Sequence, residues 1–529
     1  MNATRMFSRA FVAFVSIFLL AAVAMGQDLI LNGASTNLGG TWKVKGNVNN
    51  TSSTGANTFT GSVELKGVLA QSIGGAANAI NFATLTTTGA STKTFTTTST
   101  IATSLNTGTG GATQYVVAAG KKIILQGSIA NAGGAATPYV FSNAAAEVEY
   151  AGGAQTVFSG LTYDKLTVST AGGSKTMNGN ITVASALAVS TGDFSIAANT
   201  LTVDGTYSVT SGGTVTGGGT SNLTLGGTGD IASFSVTNGL NDFTLNRNTY
   251  TATLGAGLTV AGALALNNGT LAVSTQTLTL QGTTSVAGSG ALTSAATGTV
   301  DYAKGTNSQT VLAASYGNLT FSNFTKTLPS STVGIAGTFT PGSATGHTIT
   351  GNTIDFNGAA QTVPTFNAGT GYQNLMTSGS GTKTASGDVV VAGNFDNGGG
   401  SNAAITLAMG TNLLTITGTK ENTASTIQFA GAANGRLFTT GTVEYNGSVT
   451  QTIEGHATNT YANLIFSNSG SKLITSAAGL VHTLGNLTSS VDIQVGATNL
   501  DTTAELDVDG NFTIGAVAVT NYGTIVVGN

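Results

Sequence analysis

The chain has no cysteine, and it is nearly without tryptophan (1), histidine (3) and proline (4). The absence of cysteine excludes a disulfide-stapled domain, a cysteine nucleophile and the cysteine-rich zinc modules. Charge is also scarce, at 7% of residues, and no basic cluster stands out, so nucleic acid is not an expected partner. Scarce charge does not imply disorder here. Forty per cent of residues are hydrophobic, whereas disorder needs low hydrophobicity together with high net charge. Proline-rich or charged linkers are missing as well, so nothing marks the boundaries of a string of separate globular domains.

What the chain has in abundance is glycine, 75 of 529 residues, set among threonine, serine, asparagine and alternating apolar residues. The one long apolar run, Ala10 to Ala24, follows Arg5 and Arg9 and closes on Ala24-Met25-Gly26, a small-x-small pattern just before Gln27. That is the form of a secretory signal peptide over 1–26. It is shorter than the ~20 residues that span a bilayer, and no later stretch approaches it, so no transmembrane span is expected after cleavage. Without Arg5 and Arg9, 15 basic and 21 acidic residues remain, a net charge of −6 spread thinly along the chain.

After the signal segment the text repeats. Thr442-Val443-Glu444-Tyr445-Asn446-Gly447 is followed by Gln451-Thr452-Ile453, Tyr461-Ala462-Asn463-Leu464 and Ser471-Lys472. The series recurs with Glu64, Gln71 and Lys93; with Glu149, Gln155, Tyr163 and Lys175; with Asp301, Gln309, Tyr316 and Lys326; and with Asp355, Gln361, Tyr372 and Lys383. A degenerate copy near Asp230 keeps Leu223-Thr224-Leu225 and Phe243-Thr244-Leu245 but has neither the glutamine nor the lysine. Between copies, apolar residues alternate with threonine in runs ended by glycine or asparagine, as in Leu258-Thr259-Val260-Ala261-Gly262. This is period-two strand text with a turn every ~8–12 residues.

Two all-β architectures suit such repeats: tandem immunoglobulin-like sandwiches, or an elongated parallel β-solenoid (β-helix) built from degenerate repeats of about 50–90 residues. The anchor glutamines are unevenly spaced, with 52 residues from Gln309 to Gln361 and 90 from Gln361 to Gln451. A sandwich cannot lose half its residues and keep its core, whereas a solenoid can drop a rung because each rung contacts only its neighbours. The solenoid is therefore the expected fold, with cap strands over 27–57, repeats over 58–486 and a C-terminal β segment over 487–529. At roughly 20–25 residues and about 4.8 Å per rung, such a fold would extend on the order of 100 Å.

The strings V-E-Y-x-G, Q-T-V, Y-x-N-L and G-S-K-T, over roughly Ser62 to Asn486, resemble the repeats of large secreted surface proteins of the Bacteroidetes, Chlorobi and Ignavibacteria kind. Those proteins are described as adhesin-like or as type IX secretion cargo. The resemblance implies an extracellular, cell-surface location on a Gram-negative-type bacterium and a structural or adhesive role. Self-association, other cell-surface components or surface glycans are then the implied partners. The C-terminal sorting domain common in that group has no counterpart in the final stretch Thr524 to Asn529.

Chemistry is sparse. Carbohydrate-active β-helix enzymes need clustered carboxylates with Arg, Lys or His, whereas Arg247, Arg436, His347, His456 and His482 are isolated in sequence, so no catalytic residue and no enzymatic activity is expected. Asp507 and Asp509, in Asp507-Val508-Asp509-Gly510-Asn511, resemble part of a calcium loop but lack its closing glutamate. They are a weak calcium candidate, and no other cofactor or metal site is expected. Thr94, Thr96, Thr98 and Thr100 share one strand face, which raises ice binding as a further alternative. Trp42 reads as a cover for the end of the core, with a sugar-stacking role as the other reading. Each intact copy also carries an acid and, 25 to 29 residues later, a lysine: Glu64/Lys93, Glu149/Lys175, Asp301/Lys326, Asp355/Lys383 and Glu444/Lys472. Since both are lost together in the degenerate copy, ion pairing across neighbouring rungs is the expectation.

Overall fold

The computed structural model describes residues 27–32, 37–52, 55–75, 78–108, 114–132, 136–169, 172–210, 212–367, 371–397, 406–418, 441–453, 460–475, 480–499 and 501–528. Residues 1–26, Arg436 and His456 lie outside the described residues. The chain is an all-β parallel solenoid of about 21 turns, with no helix among the described residues. It divides into two compact units. One is Met1–Ala261 with Ala265–Thr270 and Gly288–Gly290; the other is Gly262–Leu264 with Leu271–Ala287 and Ala291–Asn529. Both are laddered in the same way, and the parallel pairing excludes immunoglobulin-like sandwiches, whose sheets are antiparallel.

One repeat shows how the sequence makes a rung. Glu147–Tyr150 and Gln155–Val157 are two strands of one rung, joined by a short glycine-containing corner. The chain then comes round once. Thr162–Val168 pairs on the first strand with Val148 opposite Leu166, and Ser174–Met177 pairs on the second with Gln155 opposite Lys175. Alternation sets which side chains point in. Val148, Leu166, Leu187 and Tyr207 follow one another in register on successive rungs, and all are buried. The β-branched and aromatic residues suit this pleated, half-buried surface, and backbone hydrogen bonds run from rung to rung.

The segment 27–57 is laddered like the repeats, with Leu29–Leu31 paired on Val48–Asn50 and Thr41–Val44 paired on the next rung, Trp42 opposite Val63. Trp42 meets Phe59 edge-on at 5.9 Å and donates its indole N–H to the Gly39 carbonyl at 3.0 Å, in keeping with its reading as a cover for the core. At the other end, Phe512–Ile514, Val519–Asn521 and Thr524–Val527 each pair with the rung before.

Asparagine in Y-x-N-L staples the corners. Asn318, Asn374 and Asn463 each donate Nδ2–H to a carbonyl one rung back, those of Thr297, Asn352 and Gly441, at 3.0 to 3.2 Å. Each Oδ1 accepts the N–H of Thr338, Asn394 or Asn486 one rung on, at 2.8 to 3.0 Å. A short amide side chain at a corner can reach both ways, which a longer or apolar one cannot.

Candidate functional site

The recurring polar residues converge on the corner that follows V-E-Y. The glutamine of Q-T-V points inward and is buried in all five copies. Gln155 Oε1 accepts the Gly152 N–H at 2.7 Å, and its Nε2 donates to Leu125 O at 3.0 Å and Gly127 O at 2.7 Å on the rung before. Gln451 repeats this with Gly447 N–H at 2.6 Å, Ile416 O at 3.2 Å and Gly418 O at 2.7 Å. Gln71, Gln309 and Gln361 make the same three-way clip.

The lysine of each copy stands one rung on, directly opposite that glutamine. The register pairs Gln71 with Lys93, Gln155 with Lys175, Gln309 with Lys326, Gln361 with Lys383 and Gln451 with Lys472. All five lysines are buried. Corner carbonyls hold the ammonium groups of Lys93, by Gly67 at 2.9 Å, of Lys383, by Gly358 and Ala359 at 2.6 Å, and of Lys472, by Gly470 at 2.7 Å and Gly447 at 3.2 Å. Lys326 donates to Ser322 O at 2.9 Å and to Phe324 O.

The expected acid–lysine contacts are therefore corrected. The ion pairs among the described residues are Lys66 with Glu64, Lys122 with Glu147 and Glu149, and His482 with Asp507 and Asp509. Glu64, Glu149, Asp355 and Glu444 are held instead by a hydroxyl one rung on, from Thr88, Ser169, Ser378 and Ser467. In the fifth copy one Asp301 carboxylate oxygen is buried without a hydrogen bond. The reason is strand parity: the acid lies between two inward residues of V-E-Y and so faces out, while the lysine faces in. Only a longer-range attraction remains, from Asp301, Asp355 and Glu444 on Lys326, Lys383 and Lys472.

Burial lowers these ammonium groups, bringing Lys93 and Lys472 down to about 8. Burial also raises the phenols of Tyr150 and Tyr302, to about 12. Between pH 8 and the ordinary lysine value of 10.5 the unfolded chain binds more protons at Lys93 and Lys472 than the folded one, so stability rises with pH in that window. Above the ordinary tyrosine value of 10.0 the folded chain binds more protons at Tyr150 and Tyr302, so stability falls. Thermal unfolding followed from pH 7 to 11 is expected to show a maximum near pH 10, with the rise from pH 8 flattened by Lys93→Met and Lys472→Met. A midpoint that stays level or drops across that range contradicts it.

The tyrosines pair within the core. Tyr302 and Tyr316 share a hydroxyl hydrogen bond of 2.7 Å, and Tyr302 Oη accepts the Leu312 N–H at 3.0 Å while Tyr316 donates to Leu312 O at 2.7 Å. Tyr150 and Tyr163 treat Phe158 in the same way. In the Tyr372 copy the residue so held is Pro364, which has no N–H to give, and the first tyrosine is Phe356. The rings of Tyr302 and Tyr316, and those of Tyr445 and Tyr461, meet edge-on. Stacking from rung to rung is carried instead by Phe59–Phe82 and by Phe95–Tyr115–Tyr139.

Other expected groups disperse. Thr94, Thr96, Thr98 and Thr100 do not share one strand: the strand of Thr94 ends at Phe95 and Thr100 belongs to the next, Ser99–Thr107, while Thr94 is flanked on its neighbouring rungs by Ser72 and Val116, so no threonine array forms there. A five-rung threonine column does exist elsewhere, Thr162, Thr182, Thr202, Thr224 and Thr244, flanked by Asn180, Asn222, Asp204 and Asp242 rather than by a second threonine column. His347 is buried and its Nδ1 accepts the Lys326 N–H at 2.8 Å, a structural use. Arg247 is buried as well, its guanidinium donating to the Gly226, Thr228 and Gly229 carbonyls.

Only one group of metal-ligating side chains converges among the described residues: His482, Asp507 and Asp509. No family model, curated protein or solved structure matches this chain. The functional reading therefore rests on the chain's own geometry. No helix among the described residues is long and apolar enough to cross a membrane.

Proposed function

We propose that the protein is a secreted structural or adhesive scaffold of a bacterial cell surface, without enzymatic activity, whose copies associate end to end. The observation that carries this reading is the use made of the recurring polar residues. Glutamine, lysine, asparagine and tyrosine bind the chain's own backbone, and four of the five acids bind its own hydroxyls. What the repeats retain is a set of rung-to-rung fastenings, and a fold that repeats its fastenings is one selected for its framework. The leader at 1–26 and the repeat resemblance support the extracellular placement.

The association surface is the rung of Phe512–Ile514, Val519–Asn521 and Thr524–Val527. Its inward-facing Ile514, Val519 and Val527 are 40%, 38% and 51% exposed, and the outer edges of its strands are unpaired among the described residues. Unpaired parallel edges backed by apolar side chains recruit a further strand layer, and a second copy supplies one of the same spacing. Electron microscopy of the purified mature chain is expected to show concentration-dependent linear assemblies that disappear when Thr524 to Asn529 are deleted. A chain that stays monomeric at high concentration overturns the assembly. Resistance of the protein to protease added to intact producing cells overturns the surface placement, and product release from acidic or neutral polysaccharides overturns the non-enzymatic reading.

A further inference from the structure

The outer face of the strands Leu480–Thr483 and Glu505–Val508 brings together three side chains that bind metals. Parallel register sets His482 opposite Asp507, and alternation points both outward while Val481, Thr483, Leu506 and Val508 are buried. Asp509 begins the corner that follows, where its own N–H is donated to Thr483 O at 2.9 Å. That bond returns its carboxylate to the imidazole. His482 Nε2 lies 3.0 Å from Asp509 Oδ2 and 3.7 Å from Asp507 Oδ2. The three ligand atoms all lie within 4.8 Å of one another, and the side chains are 22 to 25% exposed, so the group opens to solvent on one side.

A plain histidine–aspartate pair does not account for this arrangement. One Nε2 proton serves the nearer carboxylate, while Asp507, at 3.7 Å, is beyond hydrogen-bond range. The Asp507 carboxylate accepts no hydrogen bond among the described residues, and Glu505 on the same strand adds a further negative charge. Two carboxylates and an imidazole facing one point call for a divalent cation. Metal–ligand bonds of about 2.1 Å at tetrahedral or octahedral angles place neighbouring donors about 3.0–3.4 Å apart, and the imidazole nitrogen stands 3.0 and 3.7 Å from the two carboxylate oxygens.

We propose that His482, Asp507 and Asp509 form a binding site for a divalent first-row transition-metal ion of the zinc type, with water completing its coordination. An imidazole donor argues against calcium, which takes six to eight oxygen ligands. The calcium expectation for Asp507 and Asp509 is revised accordingly: they are two of three donors, and the third comes from the preceding rung, 25 residues earlier than Asp507. A bound ion would tie two successive rungs together.

The test uses the untagged, chelator-treated mature chain, titrated calorimetrically with zinc sulfate and, in parallel, calcium chloride. One zinc per chain is expected, together with an intensified visible absorption band on cobalt(II) addition that reports transfer of the ion from water to a less symmetric protein site. His482→Ala and Asp507→Asn should each weaken zinc binding by about ten-fold or more, at least the loss known for a ligand's supporting partner. Circular dichroism checks the fold of each variant, and His482→Gln, which keeps the size of the side chain, replaces His482→Ala should that variant misfold. No zinc binding, zinc binding unchanged in these variants, or calcium bound as tightly as zinc overturns the proposal.

Discussion

Gly358→Ala is expected to destabilise its part of the solenoid by about 3 kcal/mol, the upper range for forcing extra atoms into a packed site. A Cβ at Gly358 would run into the Ala336 carbonyl oxygen one rung back and sit 2.9 Å from Gln361 Cδ. Neither neighbour can yield. The carbonyl belongs to the backbone of the adjacent rung, and Gln361 is fixed by the Gly358 N–H and by two carbonyls at 2.8 Å. Movement would also disturb Lys383, which donates to Gly358 O at 2.6 Å. The control is Gly305→Ala, where a Cβ meets nothing within 4 Å, and a change within about ±0.5 kcal/mol is expected. In that copy the glycine position of V-E-Y-x-G is Lys304, whose N–H still reaches Gln309 Oε1 at 3.2 Å across a longer corner. Hydrogen exchange of the strands Thr353–Phe356 and Gln361–Val363 reads the effect directly, because a solenoid opens locally. Unchanged protection there in Gly358→Ala would refute this account of the motif's glycine.

The second large effect concerns the glutamine–lysine column. Gln451→Ile alone is expected to cost about 2–4 kcal/mol, since it strips the Gly447 N–H and the Ile416 and Gly418 carbonyls of their partner and leaves Lys472 against an apolar side chain. The paired change Gln451→Ile with Lys472→Ala should cost less than the sum of its two single changes, by about 1–2 kcal/mol. The chain already contains the paired arrangement. In the degenerate copy Ile231 stands opposite Ala252, both buried, in place of glutamine and lysine. There the corner carbonyls of Gly226, Thr228 and Gly229 are taken over by Arg247. That exchange explains why glutamine and lysine disappear together. Strict additivity in the double-mutant cycle would show that the two side chains do not act as a unit.

The glutamine–lysine column was legible in the text, though the acid drew the pairing first. In each copy the lysine stands two residues before an apolar or small residue, Phe95, Met177, Leu328, Ala385 or Ile474, all of them buried. In a strand, residues two apart share a face, so the lysine had to point inward, away from the acid of V-E-Y. The glutamine has the same parity as Ile73, Val157, Val311, Val363 and Ile453. The tyrosine pairs were half legible. Their recurrence marks them as core, but that Phe356 accompanies Pro364 makes sense only once the two tyrosine hydroxyls are seen on the N–H and the C=O of a single residue. The His482 site was not legible, because its third donor is separated from Asp507 by a rung of unstated length.

The sequence by itself determined the architecture. Period-two alternation, turn residues at short intervals and unequal repeat lengths are local properties, and a solenoid is a fold in which each rung answers only to its neighbours, so local information suffices for it. The tertiary structure decided which residues meet. Here the lysine follows its glutamine by anything from 17 to 22 residues, as in Gln309 with Lys326 and Gln361 with Lys383. Corner lengths absorb that variation, and only the closed register converts a sequence separation into a contact. That is why glutamine stands on lysine, the acids turn to hydroxyls, and His482 comes to face two aspartates.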